Sequence, residues 1–101
     1  MSTPGLDREG ALGVLARSRA LWNRSRLDLR SDEILAQLLD GGDMQDWRAL
    51  YALAREDGEL RGRIARVIAR VPLPMPRFWL AALAALGEHV DLAAPVPPYP
   101  A

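Results

Sequence analysis

An all-α fold, a compact bundle of about five short helices followed by a proline-rich C-terminal tail, is what this sequence predicts. Three observations lead there. Apolar residues recur at steps of three and four, the periodicity of a helix with one buried face. Ser, Asp, Gly and Pro punctuate the segments at positions where helices start and stop. No run alternates with period two into a hairpin turn, so no strand is expected.

The first helix is read from about Asp7 to Asn23, with Ala11, Val14, Leu15, Ser18, Leu21 and Trp22 on one face. Trp22 and Trp47, in phase with their helices, are assigned to the core. The second helix opens at Ser31, an N-cap type, with Asp32 and Glu33 in its first turn, where the positive end of the helix dipole favours acids. Ile34, Leu35, Leu38 and Leu39 form its apolar face. Gly41-Gly42 stops it, on the expectation that a helix end adopts the left-handed conformation glycine tolerates.

Asp43 caps the third helix, and Asp46 three residues on completes a capping box with Asp in place of the usual Glu. Its buried stripe is Trp47, Leu50, Tyr51 and Ala54. Asp57-Gly58 breaks it and caps the fourth helix, where Leu60, Ile64, Val67, Ile68 and Val71 share a face flanked by a ridge of Arg63, Arg66 and Arg70. Asp57–Arg61 and Glu59–Arg63 stand at i,i+4, a spacing that favours ion pairs.

The segment Pro72-Leu73-Pro74-Met75-Pro76 reads as a stiff extended connector, since each proline disfavours the helical region for the residue before it. Pro76 suits the first position of the fifth helix, Arg77 to Leu86, which ends at Gly87. This helix is apolar all the way round and must be covered. Either it is the central helix of the bundle, or one side, that of Trp79 and Leu83, is closed by another chain. The organisation is one helical domain over residues 1–92 and a proline-rich tail over 93–101, with the first helix loosely attached through Asn23 to Arg30.

Composition bounds the function. Half of the 101 residues are hydrophobic and 26% are charged, an ordinary globular balance. There is no cysteine, hence no disulfide, thiolate metal site or thiol nucleophile. The N-terminal residues show neither a basic nor an apolar signal region, and the longest apolar run falls short of the ~20 residues that cross a bilayer. A soluble cytoplasmic protein with no membrane contact is the expectation. Net charge is zero, yet residues 1–30 hold six arginines against three acids, 31–60 eight acids against two arginines, and 61–77 five arginines and no acid. All 13 basic residues are arginine, which reflects either a GC-rich genome or a use for forked, bidentate contacts.

Catalytic constellations are thin. His89 is the single histidine; Glu88, His89 and Asp91 are too few nitrogen or sulfur ligands for a zinc site. Ser18, Ser25 and Ser31 sit in no nucleophile elbow, and Gly41-Gly42 lacks the Lys-Ser/Thr of a phosphate loop. No enzyme, no cofactor and no metal are expected. Residues 31–53 also read as a helix-turn-helix that would offer Gln45 and Arg48 to DNA. Its five acids, Asp32, Glu33, Asp40, Asp43 and Asp46, oppose a phosphate backbone, so nucleic acid is the second choice of ligand.

The preferred reading is a non-enzymatic protein-binding module. Trp79 and Leu83 would be the apolar anchor, Arg63, Arg66, Arg70 and Arg77 the rim, and another protein or a second copy the partner. Pro95-Val96-Pro97-Pro98 adds a loose P-x-x-P pattern suited to aromatic grooves. Two strings, Leu38-Leu39-Asp40-Gly41-Gly42-Asp43-Met44-Gln45-Asp46-Trp47-Arg48-Ala49-Leu50-Tyr51 and Val71-Pro72-Leu73-Pro74-Met75-Pro76-Arg77-Phe78-Trp79-Leu80, resemble a group of small bacterial helical proteins. Some of that group are antitoxin-like partners of larger proteins, including nucleotidyltransferase-type toxins. The resemblance covers roughly residues 30–92 and implies a setting, the antitoxin or regulatory half of a two-protein system. It assigns no functional residues.

Overall fold

The computed structural model describes residues 7–21 and 27–100. Trp22, Ser25 and part of the Asn23–Arg30 connection lie outside the described residues. Among those described there are five α-helices, one 3-10 turn and no strand: α1 Arg8–Ala16, the turn Arg19–Leu21, α2 Asp32–Gly41, α3 Met44–Glu56, α4 Gly58–Arg70 and α5 Pro76–Ala85. The Cα radius of gyration is 13.1 Å, against about 13 Å for a compact chain of 100 residues. No described helix is long and apolar enough to cross a membrane.

Local chemistry sets the helix starts. Asp7 accepts from the backbone N–H of Gly10, Ser31 from Ile34, and Asp57 from Glu59 and Leu60. At α3 both arms of the capping box form: Asp43 accepts from the N–H of Asp46, and Asp46 accepts in return from the N–H of Asp43. Pro76 stands in the first turn of α5, and Val71 before Pro72 is extended, as the proline ring demands. α5 ends in a Schellman motif. The N–H of Glu88 reaches the Leu83 carbonyl and that of Gly87 the Ala84 carbonyl, with Gly87 at φ 94°.

Three expectations need correction. The first helix breaks after Ala16, and the chain re-forms only the short turn that buries Leu21. Gly42 is not left-handed: at φ −71° and ψ 148° it is ordinary extended backbone. Glycine is needed there for space, since a Cβ would lie 2.4 Å from the Leu38 carbonyl oxygen and 3.1 Å from the Trp47 indole nitrogen.

The third correction concerns the centre of the bundle, which is α3 rather than α5. α3 packs closely along α1 and also touches α2 and α4, while its Trp47 meets the rings of α5. Ala49, Leu50 and Ala54 are fully buried within it. α5 lies at the edge against α4, turning Trp79, Leu80 and Leu83 inward and leaving Ala81 and Ala85 in solvent. Exposing alanines costs little, because the area lost to water is small. An apolar helix therefore tolerates a peripheral place when outer positions such as 81 and 85 are alanine, although Phe78 is exposed as well.

Candidate functional site

The junction of α3 and α5 is built on Trp47. Its indole N–H donates to the Leu38 carbonyl at 2.9 Å, a buried bond that fixes the ring across the end of α2. Phe78 stacks on it with centroids 5.4 Å apart and planes at 26°. Trp79 meets Trp47 edge-on at 5.7 Å and Phe78 edge-on at 6.0 Å. Aromatic pairs in such arrangements are worth about 0.5–1.5 kcal/mol beyond the area they bury. The three rings form a wedge of mutually packed aromatics.

Beside the wedge a groove opens to the surface. Its α3 wall is Met44, Trp47, Arg48 and Tyr51, at i, i+3, i+4 and i+7; its α5 wall is Phe78, Trp79 and Ala82. The cavity holds about 180 Å³. That is below the ~300–1,000 Å³ of small-molecule sites and suits a few side chains of another polypeptide. Met44 is 57% exposed and Phe78 44%, high values for large apolar residues adjoining the core. The buried Trp79 indole N–H has no acceptor among the described residues.

The six residues singled out in the sequence do not converge on this groove. Trp79 and Leu83 are 2% and 0% exposed, so as surface anchors they are corrected: both belong to the core, and Trp79 reaches only the groove floor. Phe78, one position earlier and rotated about 100° around the helix, is the exposed ring. Arg66 pairs with Asp32 at 3.4 Å and Arg63 donates to the Arg30 carbonyl at 3.5 Å, both holding α4 to the start of α2. Arg70 is exposed with no partner among the described residues, and Arg77 donates to the Leu92 carbonyl at 2.8 Å. The ridge on α4 is thus largely spent on internal contacts. Nor do the i,i+4 pairs lead: Arg61 turns to Glu88 at 3.0 Å and to the Ala54 carbonyl at 2.8 Å.

Sequence reasoning missed Met44 and Phe78 and placed Tyr51 with the buried residues, whereas it is partly exposed and Leu53 is buried. The i, i+3, i+4, i+7 run of Met44, Trp47, Arg48 and Tyr51 was the available signal. It was hidden because the same spacing describes a core stripe.

The remaining polar features have structural explanations. The Ser18 hydroxyl donates to the buried Asp46 carboxylate at 2.6 Å, tying the end of α1 to the start of α3. A second cavity, about 280 Å³, is ringed by Arg8, Arg30 and Arg63 and by Asp28, Asp57 and Glu59, so neither sign dominates. His89 is exposed beyond α5, and no cluster of His, Asp and Glu suited to a metal occurs among the described residues. Gln45 and Arg48 are exposed on α3, but Asp43 and Asp46, at the end that would enter a DNA groove, are committed to its cap.

Tyr99 of the tail donates its hydroxyl to Asp40 at 2.8 Å, and Val96 packs on the core. The bond to Asp40 and the negative charge of that carboxylate raise the phenol above its ordinary 10.0. No protein-family model, curated protein or solved structure matches this chain.

Proposed function

We propose that this chain is a non-enzymatic protein-binding module of the cytoplasm that takes its partner in the groove between α3 and α5. The observation that supports this is the apolar wall of exposed Met44 and Phe78 and partly exposed Tyr51, seated on packed aromatic rings. Contiguous exposed apolar surface beside fully packed aromatics is the usual form of a contact site, and Trp, Tyr and Arg are the residue types that anchor such sites. Assignment as the antitoxin or regulatory half of a bacterial two-protein system rests on the likeness of residues 38–51 and 71–80 to that group. The cysteine-free composition agrees with a reducing compartment.

The test is the mass in solution by light scattering, alone and after co-expression with the product of the adjacent gene. The reading expects a mixed complex that Phe78→Ser or Met44→Ser abolishes while helical content is kept. Truncating a central anchor of this kind costs about 2 kcal/mol or more, roughly thirtyfold in Kd. A monomer in both samples sinks the two-protein reading. Duplex DNA is then the ligand to examine, with steep salt dependence and loss on Arg48→Ala as its marks. A symmetric dimer of the chain alone would point to self-association through the same face.

A further inference from the structure

We infer that the occupant of the α3–α5 groove is an amphipathic helix of another protein that carries carboxylates beside its apolar stripe; this rests on the partner-binding reading above. The groove has the form such a ligand needs, two helices supplying its walls with side chains at helical spacing. Along α3 one face runs from exposed Met44 through exposed Arg48 and partly exposed Tyr51 to exposed Arg55, residues three and four apart. At 1.5 Å per residue this strip is about 16 Å long, room for three turns of a docked helix.

Its charge is one-sided. Arg48 and Arg55 are exposed, and neither guanidinium has a partner among the described residues. Arg30, Arg61 and Arg66 elsewhere each reach a carboxylate. The acids of α3 lie off the strip. Asp43 and Asp46 are turned to the cap, and Glu56 falls about 80° beyond Arg48 around the helix at 100° per residue. The other wall has no acid at all: Pro76 to Gly87 contains Arg77 as its single charged residue. An apolar trough with the Arg48 guanidinium on its wall, Arg55 farther along the same exposed face and no carboxylate in its lining is complementary to an apolar stripe bordered by Asp or Glu.

A second copy of this chain does not fit that description. α2, the most acidic at its start, has its apolar face buried; α4 is rimmed with arginine; α5 has no acid. Single-stranded nucleic acid fits less well, because the large rings are turned on one another and Trp47 is only 8% exposed, which leaves little open face for a base.

The experiment is selection of 16-residue peptides from a displayed random library on the full chain, with counter-selection on the Met44→Ser and Phe78→Ser variants, each checked for native helix content. Selected peptides are then synthesised and titrated by tryptophan fluorescence. The inference expects apolar residues at i, i+3 or i+4, and i+7 with flanking Asp or Glu. It also expects roughly tenfold weaker binding to Arg48→Glu/Arg55→Glu, and affinity that declines with salt. Groove-dependent peptides that are neutral or basic, or that bind the double variant equally, overturn the charge inference and leave the partner-binding reading standing. Failure to select any peptide sensitive to Met44 or Phe78, or displacement of the selected peptides by an oligonucleotide at low stoichiometry, overturns both.

Discussion

Gly42→Ala should be among the most damaging single-atom changes in this protein, although nothing about the backbone at that position forbids alanine. At φ −71° and ψ 148° an L residue is unstrained. The difficulty is the added methyl, which would sit 2.4 Å from the Leu38 carbonyl oxygen, 3.1 Å from Trp47 Nε1 and 3.2 Å from Asp46 Cβ. That carbonyl already accepts from the Gly42 N–H at 3.0 Å and from the Trp47 indole at 2.9 Å. Relief requires the chain at Gly42 to move off the Leu38 carbonyl and the Trp47 indole, which disturbs both bonds that carbonyl accepts, the buried indole bond among them. Overpacking costs about 1–3 kcal/mol and a buried donor left without its acceptor about 1–3 kcal/mol. Because the movement that relieves the overlap is the one that breaks the bond, the two costs are not both met in full, and the expected loss is about 2–4 kcal/mol, a large part of the ~5–15 kcal/mol stability of a domain.

The assay is thermal and urea unfolding followed by helical circular dichroism and by tryptophan fluorescence. The expected loss corresponds to a fall in Tm of roughly 10–20 °C for a chain of this size. Gly41→Ala is the internal control. Its Cβ would meet Ala20 Cβ at 3.7 Å, an ordinary contact, so the variant should match the parent or gain up to ~1 kcal/mol from reduced unfolded-state entropy. Gly42→Asn separates the two explanations of the glycine: a left-handed cap would accept Asn, whereas a packing constraint rejects it as it rejects Ala. Equal stability of Gly42→Ala and the parent, or rescue by Asn, would refute the reasoning.

Other perturbations test separate contacts. Asp46→Ala removes the acceptor of both the Ser18 hydroxyl and the Asp43 N–H, and should lower the unfolding free energy by about 2–3 kcal/mol; Ser18→Ala should lose about 1 kcal/mol, and urea midpoints rank them. Gly87→Ala has open space for its methyl but forces φ 94° on an L residue, so a loss of about 1–2 kcal/mol in the same assay is expected, from backbone strain alone. The Tyr99–Asp40 contact raises the folded-state pKa of the phenol, so its contribution is complete below pH 10.0 and disappears as pH rises through the raised folded value. Phenolate absorbance against pH, with Tyr99→Phe as the difference, checks this, and ionisation of Tyr99 at or below 10.0 would contradict the contact.

The helices from α2 onward, their N-caps and their order were legible because each depends on residues within four positions of one another. Ser31, Asp43, Asp46 and Asp57 cap as their types require, and the prolines before α5 act through the backbone alone. The apolar faces of α2 and α4 were equally clear, since a periodic stripe has only one way to be buried. What the groove needed was not local. Met44 and Phe78 are 34 positions apart, and whether either is covered depends on where α5 settles against α3.

Neighbouring residues were enough to specify an all-helical chain, most of its punctuation and most of its core, because hydrogen bonding along a helix and the 3.6-residue period are short-range properties. Tertiary structure alone decided that α3 and not α5 is central, that Trp79 is interior while Phe78 is exposed, and that Gly42 is a packing glycine. It likewise decided that Arg63 and Arg66 serve internal contacts and left Arg48 on the wall of an apolar groove, with Arg55 about two turns farther along the same helix. An all-apolar helix has no preferred inward face, and an arginine reaches any acceptor within its length. Such choices are settled only by which neighbours the completed bundle places beside them.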